Sequence, residues 1–199
     1  MEKEIIMTEK ELSYMADRDF LITKFSITQK IARLFNQART LLEREIETNP
    51  FPFKSAWIEN HPKISKGENY RLLPYIVLDY PRFFSKEEVF AFRTMFWWGN
   101  FFSCTLHLQG SLLNRYKDAL GKSLPGAPRG IFLCVNHSPW QYHFERDNYA
   151  PTHELTPQEL AHAFEKPFLK ISRKTDIGNW AALPNFAAKS FRLFLELIG

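Results

Sequence analysis

Four of the chain's six histidines, His137, His143, His153 and His162, fall between positions 137 and 162. Imidazole is the commonest metal ligand and the side chain that titrates nearest neutrality, so this cluster is the first place to look for chemistry. Trp140, Tyr142 and Phe144 alternate with Gln141, His143 and Glu145, which predicts a strand presenting His143 and Glu145 on one face. With His153 or His162 as a third ligand, the pattern is a fragment of the His-x-acid arrangement that holds mononuclear iron on β-scaffolds. On that reading the chain is a metal-dependent enzyme with a divalent metal as its cofactor. The spacing departs from the arrangement, because the two later histidines fall in a predicted loop and a predicted helix rather than on a remote strand. Neither His-Glu-x-x-His nor paired Cys-x-x-Cys is present. Histidines more often serve turns and polar faces, so the metal reading takes second place.

A second group is Asp79, at the end of an apolar Tyr75–Tyr80 run, and His107, on the polar face of a later strand-like run. They meet only if those strands pair in register. A carboxylate in apolar surroundings can act as acid or base, but a pre-turn Asp commonly accepts backbone hydrogen bonds. No Gly-x-Ser-x-Gly elbow completes a hydrolase triad. Cys104 and Cys134 lie inside apolar runs, the setting of buried and unreactive thiols. Phosphate-cradling glycine motifs are absent. Lys170, Arg173 and Lys174 form an anion-binding candidate, with Lys170 and Lys174 on one strand face; the lysines of an edge strand's polar outer face account for them more simply.

The most unusual stretch is residues 83–102, where nine of twenty side chains are aromatic. Core packing accounts for most of them, but Trp97 and Trp98 are placed to line an apolar pocket or an interface, with Arg93 beside them. The first expectation for function is therefore a non-catalytic ligand-binding or interaction protein. Its aromatic-lined pocket would draw on Trp97, Trp98, Arg93, Asp79 and His107, and its ligand would be small and apolar or aromatic.

The elements that must position these residues are legible from periodicity and caps. Residues 8–48 read as helix, with Thr8/Glu11 and Ser26/Gln29 as capping boxes and an apolar stripe from Ile27 to Ile46. Residues 50–70 read as irregular, and Tyr75–Tyr80 as a strand closed by Pro81. Ser85 and Glu88 predict a helix cap, with the helix running to Trp97. Asn100–Gln109 reads as a strand with Phe102, Cys104, Leu106 and Leu108 on one face. A short helix near 112–120, a strand at Ile131–Val135, a helix capped by Thr156 and Glu159, a strand at Phe168–Lys174 and a helix from Pro184 complete the chain. The fold class is α+β, with a mostly antiparallel sheet of about five strands. One domain, 1–199, is expected, with the helical segment 1–49 docked on residues 50–199 and the C-terminal helix buried. That helix is apolar except along Lys189, Arg192 and Glu196, so a second copy of the chain is one candidate to cover it, which gives a homodimer as an expected partner.

Composition sets the outer limits. With 31 aromatic residues among 199, 45% hydrophobic and 24% charged, the chain has ample surface to bury, which excludes intrinsic disorder. The net charge is +4, and the basic excess is dispersed through residues 50–130 rather than gathered in a patch. Nucleic-acid binding wants a denser footprint. No apolar run is long enough to span a bilayer. Met1–Lys10 alternates charges around Ile5–Met7 with no apolar signal core, so a cytoplasmic location is expected.

Overall fold

The computed structural model describes residues 5–58 and 61–199; the start of the charged N-terminal stretch, Met1–Glu4, lies outside them. The chain begins with α1 (Glu9–Ala16), whose Thr8–Glu11 capping box forms as the sequence predicts. Asp17 then separates α1 from α2 (Arg18–Thr48), accepting from the Phe20 backbone N–H. Ser26 is interior to α2 and caps nothing. A short α3 (Ser55–Ile58) leads to β1 (Lys63–Tyr70), a strand in a segment that reads as irregular from sequence.

The centre of the molecule is an antiparallel sheet of seven strands, not about five, in the order β1-β2-β3-β4-β7-β5-β6. β2 (Leu73–Phe84) runs through Pro81 instead of stopping there; its register against the next strand shifts between Asp79 and Arg82, where a strand tolerates proline. Ser85 Oγ accepts from the Glu87 and Glu88 N–H groups, and this makes a tight turn rather than a helix cap. The turn leads into β3 (Val89–Trp97), where the sequence pattern suggests a helix. The pattern misleads for a simple reason. Phe92 and Phe96 are four apart, so they share a face under a period of 2 as well as 3.6. Both faces of β3 are covered, so no polar alternation marks it as a strand.

β4 (Phe101–Gln109) has the two faces expected of it. After it come α4 (Ser111–Ser123), β5 (Phe132–Cys134) and β6 (Tyr149–Pro151). Residues 140–145 are irregular; the antiparallel partner of β5 is β6. α5 (Pro157–Phe164) carries the expected Thr156–Glu159 capping box. β7 (Phe168–Asp176) lies between β4 and β5 and is therefore interior, not an edge strand. The chain ends in α6 (Leu183–Ile198).

α2, α4 and α6 pack on one face of the sheet. Phe92 meets Phe191 at 4.9 Å, and Trp57 stacks on Phe90 at 4.1 Å. Phe35, Ala38 and Leu42 of α2 are buried with Phe191 and Phe194 of α6, and Glu45 pairs with Arg192 across the two helices. The apolar circumference of α6 is thus covered inside this chain, with its exposed residues confined to a ridge that includes Lys189, Arg192 and Glu196. The face that suggested a homodimer is not free to make one.

Only the later part of α2 is docked. Leu12, Tyr14, Met15, Phe20, Leu21, Ile22 and Phe25 stay exposed, whereas buried positions begin at Ile31. Limited trypsin digestion with mass-spectrometric readout should therefore cut after Lys10 and Arg18 well before Arg33, Arg39 or Arg44. Simultaneous cutting along the whole of α2 would contradict the docking. No helix among the described residues is long and apolar enough to cross a membrane.

Candidate functional site

The face of the sheet opposite the helices carries the chemistry. Register places Asp79, Arg93, Thr105 and Ser172 in one cross-strand row and Ala91, His107 and Lys170 in the next. The strands of Asp79 and His107 do not pair, because β3 lies between them, and Asp79 instead forms a fork with Arg93, whose Nε and Nη2 donate to the two Asp79 oxygens at 2.7 and 2.8 Å. Burial opposes the guanidinium charge, but the Asp79 contacts and Tyr142 outweigh it and hold Arg93 above its ordinary range. Thr105 and Ser172 share a hydroxyl hydrogen bond at 2.8 Å.

The segment 136–148 folds over this face as a strap. Tyr70 holds it down, its hydroxyl accepting from the N–H groups of Tyr142 (2.7 Å) and His143 (3.0 Å). From beneath, Lys170 Nζ donates to the carbonyls of Pro139 (2.8 Å) and Gln141 (2.6 Å). The Tyr142 ring lies 4.2 Å from Lys170 Nζ and 4.9 Å from the Arg93 guanidinium, in contact with two cations. Burial pushes the Tyr142 hydroxyl up to about 12, with Arg93 opposing the rise. Lys170 is fully buried, and desolvation drives its ammonium down to about 7. His107 is wedged between Trp140 and Phe168, each ring centroid 5.9 Å away. Burial, with Lys170 and Arg93 adding to it, lowers this imidazole to about 3, so it is neutral.

Between the strap and the sheet is a cavity of about 200 Å³, lined by Tyr70, Tyr75, Val77, Arg93, Met95, Trp140 and Tyr142. Gly67 opposes Tyr75 across the strands, and a Cβ there would come within 2.4 Å of the Tyr75 ring. Glycine at this position lets the ring lie flat beside the cavity. Trp97 packs against Tyr70 at 5.1 Å behind the cavity, with its buried Nε1 unpartnered among the described residues.

The other residues singled out from sequence are dispersed. Trp98 leaves this face and packs on Phe96 among the helix-side residues. Lys170, Arg173 and Lys174 do not converge. Arg173 points to the helix layer, donating to Ser190 Oγ at 3.2 Å, and Lys174 lies exposed over Phe101, Phe132 and Phe144. Lys170 belongs to no polar outer face, because β7 is interior and the strap covers it. His143 and Glu145 do face one another, but their companion is Asp147; His153 and His162 stand beside Glu154 and Glu165 instead. Cys104 and Cys134 are both free and buried, and burial raises the Cys104 thiol to about 12.

Tyr70 and Tyr142 escape the sequence reading as parts of the site. Tyr142 had a visible signal, its place in an aromatic-polar alternation, but that alternation reads as a strand and hides a strap. Tyr70 had none. No family model, curated protein or solved structure matches this chain.

Proposed function

We propose that this chain is a non-catalytic binding protein whose ligand is a small flat ring bearing an acceptor oxygen, held beneath the strap beside Arg93. The observation that carries the reading is the guanidinium at the wall of an aromatic cavity. Asp79 occupies Nε and Nη2 and fixes the fork, leaving Nη1 without a hydrogen bond among the described residues. Tyr70, Tyr75, Trp140 and Tyr142 offer ring faces and edges for stacking. A volume near 200 Å³ is below the usual range for drug-sized ligands, so the fit is to a single substituted ring. Binding is favoured over turnover because the titratable groups are committed elsewhere: His107 is neutral and enclosed, and Lys170 is spent on two carbonyls.

Benzoate is the probe of choice, with cyclohexanecarboxylate as the non-aromatic control. Titration should quench tryptophan fluorescence through Trp140 and shift amide resonances of Tyr70, Val77 and Tyr142. Val77→Phe, which fills the cavity, and Arg93→Lys, which cannot present a fork, should each weaken benzoate at least about tenfold. Unchanged spectra, or equal binding by Val77→Phe, would remove the proposal.

A further inference from the structure

The turn that closes the strap carries a second constellation, separate from the Arg93 cavity and independent of what binds there. We propose that His143 Nδ1, Glu145 Oε2 and Asp147 Oδ1 are the protein ligands of a divalent cation of borderline character, Zn²⁺ or its like, whose remaining positions are filled by water.

Nδ1 of His143 is the starting point. The residue is 5% exposed, and this nitrogen is buried without a hydrogen-bond partner among the described residues. Leaving a buried ring nitrogen unmatched is costly, so it calls for a reason. It is aimed at two carboxylates, with Glu145 Oε2 at 3.7 Å and Asp147 Oδ1 at 3.8 Å. Both distances are too long for hydrogen bonds. They do suit a shared cation: ligand atoms about 2.1 Å from a tetrahedral Zn²⁺ lie about 3.4 Å apart. All three ligand atoms lie within 4.8 Å of one another. Drawing the set in to that separation falls to rotation of the Glu145 and Asp147 side chains, both of which are exposed.

The backbone holds the turn ready. Tyr70 Oη accepts from the His143 N–H, Asn148 Nδ2 donates to the His143 carbonyl, and the Asn148 and Tyr149 N–H groups both donate to the Glu145 carbonyl. Asn136 Nδ2 donates to the Asp147 carbonyl. A site anchored at so many points loses little entropy when it takes up an ion. The charge balance also permits it. Arg71 pairs with Glu145 through Oε1 and leaves Oε2 free; two carboxylates against one guanidinium leave a net negative charge. One imidazole with two carboxylates is a donor set that Zn²⁺ and Mn²⁺ accept more readily than Mg²⁺, which prefers oxygen and water alone.

The test is calorimetric titration of the metal-stripped full chain with ZnSO₄ near pH 7.5, paired with ring-nitrogen NMR of the histidines. The expected result is one Zn²⁺ per chain with the His143 resonances moved. Asp147→Asn and Glu145→Gln, both at exposed positions that leave the core intact, should each weaken binding at least about tenfold. His153→Ala and His162→Ala, which disrupt the only other His-carboxylate pairs among the described residues, should bind as the parent chain does. Absence of stoichiometric binding, indifference to Asp147→Asn, or loss that tracks His153 or His162 instead would overturn the site.

Discussion

As the pH falls from 6.5 towards 3, the folded chain should lose up to about 5 kcal/mol of stability through His107 alone. The imidazole is protonated near 6.5 in the unfolded chain but only near 3 in the folded one, because burial and the Lys170 and Arg93 cations disfavour its charge. Between those values the unfolded state binds the extra proton. The His107 contribution is therefore intact above 6.5, declines through the window and is fully lost below 3. Paired carboxylates add to acid loss in any protein, so the informative quantity is a difference between variants. His107→Phe keeps a ring between Trp140 and Phe168 and removes the unpartnered buried Nε2. Denaturant unfolding at pH 7 should find the variant equal to the parent or about 1 kcal/mol more stable. At pH 4 its advantage should grow by several kcal/mol. Parallel pH profiles would mean that His107 is not held neutral in the fold.

That His107 matters was partly legible in the sequence. The alternation in Asn100–Gln109 assigns Phe102, Cys104, Leu106 and Leu108 to one face, and the pairing register bears this out. What alternation could not reveal is that the second face is covered too, since its cover is the irregular strap 136–148 and carries no period. The same blindness placed Lys170 on a polar outer surface. Lysine on a strand usually marks solvent, and only the position of β7 between β4 and β5 reverses the inference. Asp79 and Arg93 are an instance of register deciding what spacing cannot, for the two are direct partners across β2 and β3. Capping chemistry is legible where a helix begins in solvent, at Thr8 and Thr156. It misled at Ser85, because a serine hydroxyl turned toward the next N–H groups along the chain serves a hairpin as readily as a helix.

Lys170 is the reverse case to His107 at the alkaline end. Its ammonium has an unfolded value near 10.5 and is driven to about 7 by burial. Below 7 both states carry the charge, and the folded chain bears the full cost of burying it. From 7 to 10.5 the unfolded chain keeps a proton that the folded chain has released, so stability rises with pH, by up to about 5 kcal/mol across the window. Neutral or charged, Nζ still donates to Pro139 and Gln141 and so fastens the strap. Lys170→Met removes the titration and the two carbonyl contacts together, and the pH dependence of its effect separates the two roles. At pH 9.5 the variant should be less stable by about 2–5 kcal/mol, the cost of two buried carbonyls left unmatched. At pH 6 the deficit should shrink or reverse, since the variant no longer buries a cation beside Arg93. Amide exchange at Tyr142 and His143, whose N–H groups sit on Tyr70 Oη, should quicken at both pH values as the strap loosens. A deficit that does not vary with pH would mean that the fold leaves Lys170's titration unperturbed, and that the lysine serves only as a hydrogen-bond donor.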